Sequence, residues 1–391
     1  MTPGLPSEAT HPVRCLRSED AVVTTATDRL SLATGPSAHA SSGGDTGPRP
    51  SLPTPSLLAV DGNSLGHRGY HSSRHDEPDD RPLATGAVLS MLASAWIHGP
   101  YDGIVVGFDS PTNRRKLDHP EYKSTRPPTP PELTESLVAL RGHLAACGFL
   151  VVEHHGAEAD DVMASTVDAC ESRGWRCDVL SSDRDLTALV GATTRLLRPL
   201  ARFSDLEVED EQAVLRKYGV TPSQYVDLAA LRGDPSDGLT GATGIGPKIA
   251  ARLLRDHGSV LELYANLHQL TPRIEAILRE GRQRVERNLM LMAPIPHLAV
   301  DVDAAFREGV DPDRVAAAME PLGLDAAARR FARILASPPP PQQPRSPVPT
   351  DPDGPPMSGP DAPGDPAQVT DRRPARVRDD VPAAGQQAAL F

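Results

Sequence analysis

The sequence predicts an α/β fold built on a doubly wound, mostly parallel sheet. Two apolar runs, Leu57-Leu58-Ala59-Val60 and Gly103 to Phe108, each stop at an aspartate, Asp61 and Asp109, as buried parallel strands with a polar carboxyl end do. Between them Leu89, Leu92, Ala93 and Trp96 repeat at helical spacing, so strand and helix alternate.

The elements follow in order. Residues 1–55 are rich in Ser, Thr, Pro and Gly without a periodic apolar face; they are expected to be disordered, or to lie upstream of a later start codon. The α/β core is expected over 56–200. Within it, a helix carries Leu133, Leu137 and Leu140, a strand covers Phe149 to Val152, and a helix runs from about Asp160 to Arg173 with Gly174 as its stop. A strand at Cys177 to Leu180 follows. After about Ala201 the pattern changes to short helices at 210–218, 222–231, 247–256 and 259–267, then near 312–320 and 325–336, which predicts a helical lobe over 201–337. Pro338 to Pro341 open a Pro-, Asp- and Gly-rich tail, 338–391, expected to be extended and disordered.

Composition supports this division. Of the 41 prolines, 23 lie in the two terminal segments, which leaves about 280 residues to bury a core. The net charge is −12, and the part between the terminal segments carries −9. Nine carboxylates fall there in five short clusters: Asp61; Asp109; Glu158, Asp160 and Asp161; Asp183 and Asp185; Asp234 and Asp237. That many acids around one point repel each other unless cations lie among them. Bound divalent ions would also offset the acidity that otherwise argues against a nucleic-acid partner. Cys15, Cys147, Cys170 and Cys177 have no paired metal-ligand spacing and are expected to be reduced thiols in a cytoplasmic protein. No apolar run is long enough to span a bilayer, so no membrane partner is expected.

Taken singly, each acid has an ordinary structural reading: a strand-end Asp caps a turn or helix, and acids suit a helix start. Their conjunction favours a metal site, because in doubly wound sheets ligands gather at the carboxyl ends of strands. Glu158 and Asp161 are three apart on a helix, and Asp183 and Asp185 two apart on an extended segment. An all-oxygen set favours Mg2+ or Mn2+ over zinc.

The motifs Val60-Asp61-Gly62-Asn63, Phe108-Asp109, Tyr122-Lys123-Ser124-Thr125-Arg126, Glu158-Ala159-Asp160-Asp161, Ser182-Asp183-Arg184-Asp185-Leu186 and Gly233-Asp234-Pro235-Ser236-Asp237 resemble those of the bacterial 5′-3′ exonuclease and flap endonuclease family, over roughly residues 57–304. The resemblance implies a PIN-like 5′-nuclease core, a helical arch at about 111–135 and a helix-three-turn-helix lobe at about 233–267. It implies two divalent cations, the first held by Asp61, Asp109, Glu158 and Asp160 and the second by Asp183, Asp185, Asp234 and Asp237, with Asp161 either a ligand or a support. Such a pair activates water and stabilises both the attacking and leaving oxygens of an in-line displacement.

Arg114, Arg115, Lys116, Lys123 and Arg126 precede a Pro-rich turn, and a solvated basic loop would account for them alone. Beside the acids they would grip phosphate, and the resemblance gives Arg115, Lys123 and Arg126 catalytic roles. It also places Arg68, Tyr70 and Tyr122 against DNA. Gly241 to Ala251 reads as a Gly-rich hairpin entering a helix, where backbone amides can meet a phosphate. In the family such a hairpin holds duplex backbone, often with a K+ ion; Gly244, Ile245, Gly246 and Lys248 are the residues concerned. Gln387, Leu390 and Phe391 resemble the short terminal peptide by which replication proteins dock on the sliding clamp. The expected protein is therefore a monomeric, nucleoid-associated enzyme acting on DNA 5′ ends, flaps or nicks, with RNA primers as a further substrate. The alternatives are a structure-specific DNA-binding protein with degenerate chemistry and a PIN-like ribonuclease. Degenerate chemistry predicts missing acids, and none of the nine is missing.

Overall fold

The computed structural model describes residues 54–72 and 81–337. The expectations for 1–53 and for the tail, including Gln387, Leu390 and Phe391, lie outside them.

In chain order the elements are β1 (Ser56–Asp61), α1 (Gly62–Ser72), α2 (Arg81–Trp96), β2 (Gly103–Phe108), α3 (Arg114–Asp118), α4 (Pro131–Ala146), β3 (Leu150–Glu153), α5 (Ala159–Glu171), β4 (Arg176–Leu180), β5 (Thr194–Pro199) and β6 (Leu206–Glu209). Then come α6 (Glu211–Tyr218), α7 (Tyr225–Arg232), β7 (Gly233–Asp234), β8 (Leu239–Thr240), α8 (Pro247–His257), α9 (Val260–Ala265), α10 (Pro272–Met292), α11 (Val302–Glu308), α12 (Pro312–Met319) and α13 (Asp325–Leu335).

The six-stranded sheet has the order β3-β2-β1-β4-β5-β6, parallel except for β6. Every residue of β1 is buried, as a central strand covered on both faces must be. The order reverses direction at β1, between β2 and β4, and the carboxyl ends there form the crevice that doubly wound sheets offer to ligands. No helix among the described residues is long and apolar enough to cross a membrane.

Helix α1 is not visible in the apolar pattern, and its glycines disfavour helix by propensity. Close approach explains them: a Cβ on Gly62 would come within 2.6 Å of the Phe108 ring, and one on Gly66 within 2.4 Å of Leu137. The first turn of α1 is thereby held directly behind Asp61.

The expected boundary at 201 is corrected by the sheet, since β6 pairs antiparallel with β5 and so 206–209 belongs to the core. The last two helices also leave the lobe. Val315, Met319, Ala328 and Phe331 join the core cluster with Leu89, Leu92 and Ile104. Phe331 is fully buried, with Trp96 and Phe149 edge-on to it at 6.0 and 6.4 Å. The separate apolar cluster of the lobe runs from Val220 to Met292 and takes in Tyr122 from the arch segment. Helix α10, its longest element, buries Leu278, Gly281, Val285, Asn288 and Met292, a helical repeat on an otherwise charged segment.

Candidate functional site

Each acid is placed by a local device. Asp61 ends β1 and caps α1, accepting from the Ser64 N–H at 2.9 Å, while its other oxygen accepts from Ser181 Oγ at 2.7 Å. Asp109 accepts from the Ala159 N–H at 2.8 Å and so caps α5; Asn63 Nδ2 donates to its second oxygen at 2.7 Å. Asn63 in turn accepts from the Asp109 N–H at 3.1 Å, a reciprocal pair that ties the ends of β1 and β2 together. Asn63, Ser64 and Ser181 were not singled out from the sequence as site residues, although Asn63 stands in the motif that begins at Val60.

The Glu158 cluster divides into three roles. Asn113 Nδ2 and Lys123 Nζ both donate to Glu158 Oε1 at 2.7 Å, and Arg115 and the Tyr122 hydroxyl reach Oε2 at 3.2 Å each. Burial alone would raise its pKa, but Lys123, Arg115 and Asn113 outweigh it and hold Glu158 below the usual carboxylate value. Asp161 is fully buried and has both oxygens satisfied: Arg115 donates to each at 2.7 Å, and the N–H groups of Glu158 and Ile295 add bonds of 3.0 and 2.9 Å. Its geometry is that of an anchor for Arg115. Asp160 accepts no hydrogen bond among the described residues. Burial, with Asp183 and Asp61 beside it, raises its pKa well above the usual value.

On the other side of the crevice, Asp183 accepts from the Asp185 N–H at 2.9 Å, and Asp234 accepts from the Ser236 N–H at 2.8 Å. Asp185 faces Asp183, Asp234 and Asp237; burial and these like charges push its pKa up to about 7. Asp61 is pushed to about 7 by burial as well, with Asp183 and Asp109 adding to it. Burial also raises Asp109 and Asp237. A polar cavity of about 230 Å³ lies here, lined by Ser64, Arg126, Ser182, Asp183, Asp185 and Asp237 among others.

Among the described residues no three carboxylates close on one point at coordinating distance. What the site presents is an unbalanced excess of negative charge. Among the described residues Asp160 and Asp185 accept no side-chain or backbone hydrogen bond, and Ser182 Oγ, which lines the cavity, has no partner. Cations would supply the missing counter-charge, and an oxygen-only lining suits hard divalent ions. Asp61, Asp109, Glu158, Asp160, Asp183, Asp185, Asp234 and Asp237 therefore fit a divalent metal centre.

The basic residues separate by burial. Arg115 is turned inward, spanning Asp161, Glu158 and the Ala293 carbonyl, so it closes the base of the arch segment and is not free to meet substrate. Lys123 stands between the two acid groups: its ammonium meets Glu158, and its backbone N–H donates to the Asp237 carbonyl at 2.9 Å. Its φ of 56° is a left-handed conformation that a side chain adopts only when contacts on both sides fix it. Arg126 is half-exposed, donates to Asp237 and lines the cavity.

Tyr122 is 4% exposed in the lobe core, and its hydroxyl supports Glu158 from behind. Arg68 donates to the Leu200 carbonyl and lies 5.9 Å from the Phe203 ring, turned toward the loop after β5. Tyr70 is edge-on to His71 at 5.3 Å. In the Gly-rich hairpin Gly244, Gly246 and Lys248 are exposed, whereas Ile245 is 3% exposed and anchors the turn in the lobe core. Pro247 takes the first position of α8, where a missing N–H costs nothing.

Comparison with known proteins bears on both the sheet domain and the helical lobe. Residues 56–219 match the model of the 5′-3′ exonuclease N-terminal resolvase-like domain, and residues 220–312 that of the 5′-3′ exonuclease C-terminal SAM fold. A 5′-3′ exonuclease of Mycoplasma pneumoniae is 31% identical over 291 residues, covering 71% of this chain and 99% of that protein. DNA polymerase I of Mycobacterium tuberculosis is 36% identical over 239 residues, 60% of this chain; the chain spans 26% of that polymerase's length. Among solved structures, the bacteriophage T5 flap endonuclease in complex with DNA and metal ions has the same fold, with a TM-score of 0.51 at 22% identity, covering 72% of this chain and 100% of that one.

Proposed function

This chain belongs to the 5′-3′ exonuclease family, and from that premise we propose that it hydrolyses phosphodiesters at 5′ ends, nicks and flaps of DNA in replication and repair, using two divalent cations. The observation that carries the reading is the meeting of eight carboxylates from five segments with Lys123 and Arg126 at the carboxyl edge of the sheet.

Asp61, Asp109, Glu158 and Asp160 would hold one ion and Asp183, Asp185, Asp234 and Asp237 the other, Mg2+ or Mn2+ by the chemistry of the donors. When bound, such ions lower the pKa of water and offset charge on the attacking and leaving oxygens. The protein's own groups do the rest. Lys123, already balanced between acids, can exchange its Glu158 contact for a phosphate oxygen as substrate enters, and its ammonium then faces the charge that develops there. Arg126 presents a guanidinium at the mouth of the cavity and orients a neighbouring phosphate. Gly244, Gly246 and Lys248 offer an exposed turn and cation to duplex backbone, with K+ as a bridging ion at that turn; the grip is shape- and charge-based, without sequence readout.

The same reading has the protein working as a monomer in the cytoplasm at the nucleoid, with the terminal peptide ending in Leu390 and Phe391 tethering it to the sliding clamp. The test is cleavage of labelled 5′-flap, nicked and blunt duplexes in Mg2+, in chelator, and by an Asp183→Asn variant. Cleavage confined to the first condition is the expected result. Cleavage that survives both chelation and substitution rules the metal mechanism out.

A further inference from the structure

We propose that Arg198 and Glu209 form a positioning pair for the loop that carries Asp183 and Asp185, so that cation affinity at the site depends on two residues that do not line it. The inference rests on the metal reading above and adds residues that none of the sequence motifs contain.

The loop leaves β4 after Leu180 and must hold Asp183 and Asp185 against the repulsion of Asp61, Asp160, Asp234 and Asp237. Several of its hydrogen bonds are internal. Asp183 N–H donates to Ser181 Oγ, Asp185 N–H to Asp183 Oδ1, and Thr187 N–H to the Arg184 carbonyl, which shape the turn without fastening it to the sheet. Ser181 N–H continues the ladder to Leu197, and Ser182 N–H donates to Ser64 Oγ. Ser181 Oγ also donates to Asp61, and Leu186 is buried in the core beneath the loop; the further polar fastening comes from β5 and β6.

Arg198 Nη1 donates to the Ser182 carbonyl at 2.7 Å, its Nε to Glu209 Oε1 at 3.2 Å, and its Nη2 lies 3.4 Å from both Thr187 Oγ1 and Glu209 Oε2. Thr187 Oγ1 donates to Glu209 Oε2 at 3.2 Å. One planar fork therefore grips the loop on both sides of the two aspartates, at Ser182 before them and Thr187 after them. The Glu209 side chain is fully buried and that of Arg198 is 11% exposed, while Lys217 balances Glu209 from outside at 2.7 Å. A buried ion pair is a poor source of stability compared with apolar packing. Holding a loop of like charges in one position is what this pair does that an apolar pair cannot. Partners behind a metal ligand typically change metal affinity 10- to 100-fold when removed.

The test uses the full chain and Mn2+ alone, with free Mn2+ read by electron paramagnetic resonance. Arg198→Lys keeps the charge and loses the fork. A double variant, Arg198→Met with Glu209→Met, keeps burial and volume without the ion pair, and Thr187→Val removes only the hydroxyl that joins Arg198 and Glu209. Each should weaken binding of Mn2+, about tenfold for Arg198→Lys and less for Thr187→Val, with far-UV circular dichroism unchanged. Turnover should fall at limiting Mn2+ and recover at saturating Mn2+, with KM for DNA unmoved, a pattern that lost stability would not give. Unchanged Mn2+ isotherms in the folded variants overturn the positioning role. Absence of Mn2+ binding by the wild type overturns the metal reading beneath it, so the two failures are told apart.

Discussion

Arg115 and Asp161 face each other in a two-pronged ion pair, with both bonds at 2.7 Å and both side chains nearly excluded from solvent. Asp161 also holds the start of α5 and the N–H of Ile295, and Arg115 also reaches the Ala293 carbonyl. The arch base, the acid-bearing helix and the chain leaving α10 therefore meet at a single contact.

Asp161→Asn should consequently act on stability. Losing the charge that Arg115 meets twice, with Glu158 left as its acidic partner, is expected to cost about 1.5–3 kcal/mol in urea unfolding, with the number of Mn2+ ions bound unchanged. Asp160→Asn should do the reverse, weakening Mn2+ binding while the metal-free protein keeps or gains stability, because like charges around it are relieved. A lost ion with intact stability in Asp161→Asn would return that acid to the ligand set.

Lys123→Ala should lower turnover by about 10²–10³, the usual loss for one aimed charge at a reacting centre, with a smaller change in KM. Arg126→Ala should affect KM more than turnover, since its side chain is 48% exposed and reaches only the edge of the acid groups. Single-turnover kinetics on a 5′-flap duplex separates the two.

Glu209 gives a pH signature. Burial alone would raise its pKa, but Arg198 and Lys217 outweigh burial and hold it below the ordinary 4.5. A depressed carboxyl contributes stability above the unfolded pKa and loses it as pH falls through the folded one. The melting temperature of Glu209→Gln should therefore lie below that of the wild type at pH 7, by a gap equivalent to about 1.5–3 kcal/mol. The gap should narrow as pH drops below 4.5. A gap that is constant down to strongly acidic pH would mean that the charge is not what stabilises the fold there.

Lys248→Ala should weaken duplex binding equally for all sequences and reduce the slope of log K against log salt by about one phosphate's worth. Fluorescence anisotropy over a salt series measures it. An unchanged slope would remove Lys248 from the DNA surface.

Much of the sheet was legible because its strands carry apolar runs: those of β1 and β2 stop at Asp61 and Asp109, that of β3 stops at Glu153, and β4 ends in Val179 and Leu180 just before the loop of Asp183. The acids were legible as a group for the same reason. Helix α1 was hidden, since Gly62, Gly66 and Gly69 weaken the helical signal and serve only when Phe108, Leu137 and Ala84 are already in place. Helix α10 was overlooked although Leu278, Val285 and Met292 keep a seven-residue repeat amid its charges. The buried roles of Arg115 and Tyr122 could not be read from residue type. A basic or aromatic residue in a loop looks the same whether it turns toward solvent or toward Asp161 and Glu158, and only tertiary placement decides.

Phe331, packed edge-on to Trp96 and Phe149, closes the core from a helix that lies beyond residue 312, where the family match ends. A chain cut at that point would retain every acid and every cation of the cleft, yet it would expose the side of α2 that Phe331, Ala328 and Met319 now cover. Such a truncation would yield a sticky, aggregation-prone fragment, so the smallest piece of this protein that can be handled in solution extends to at least Leu335.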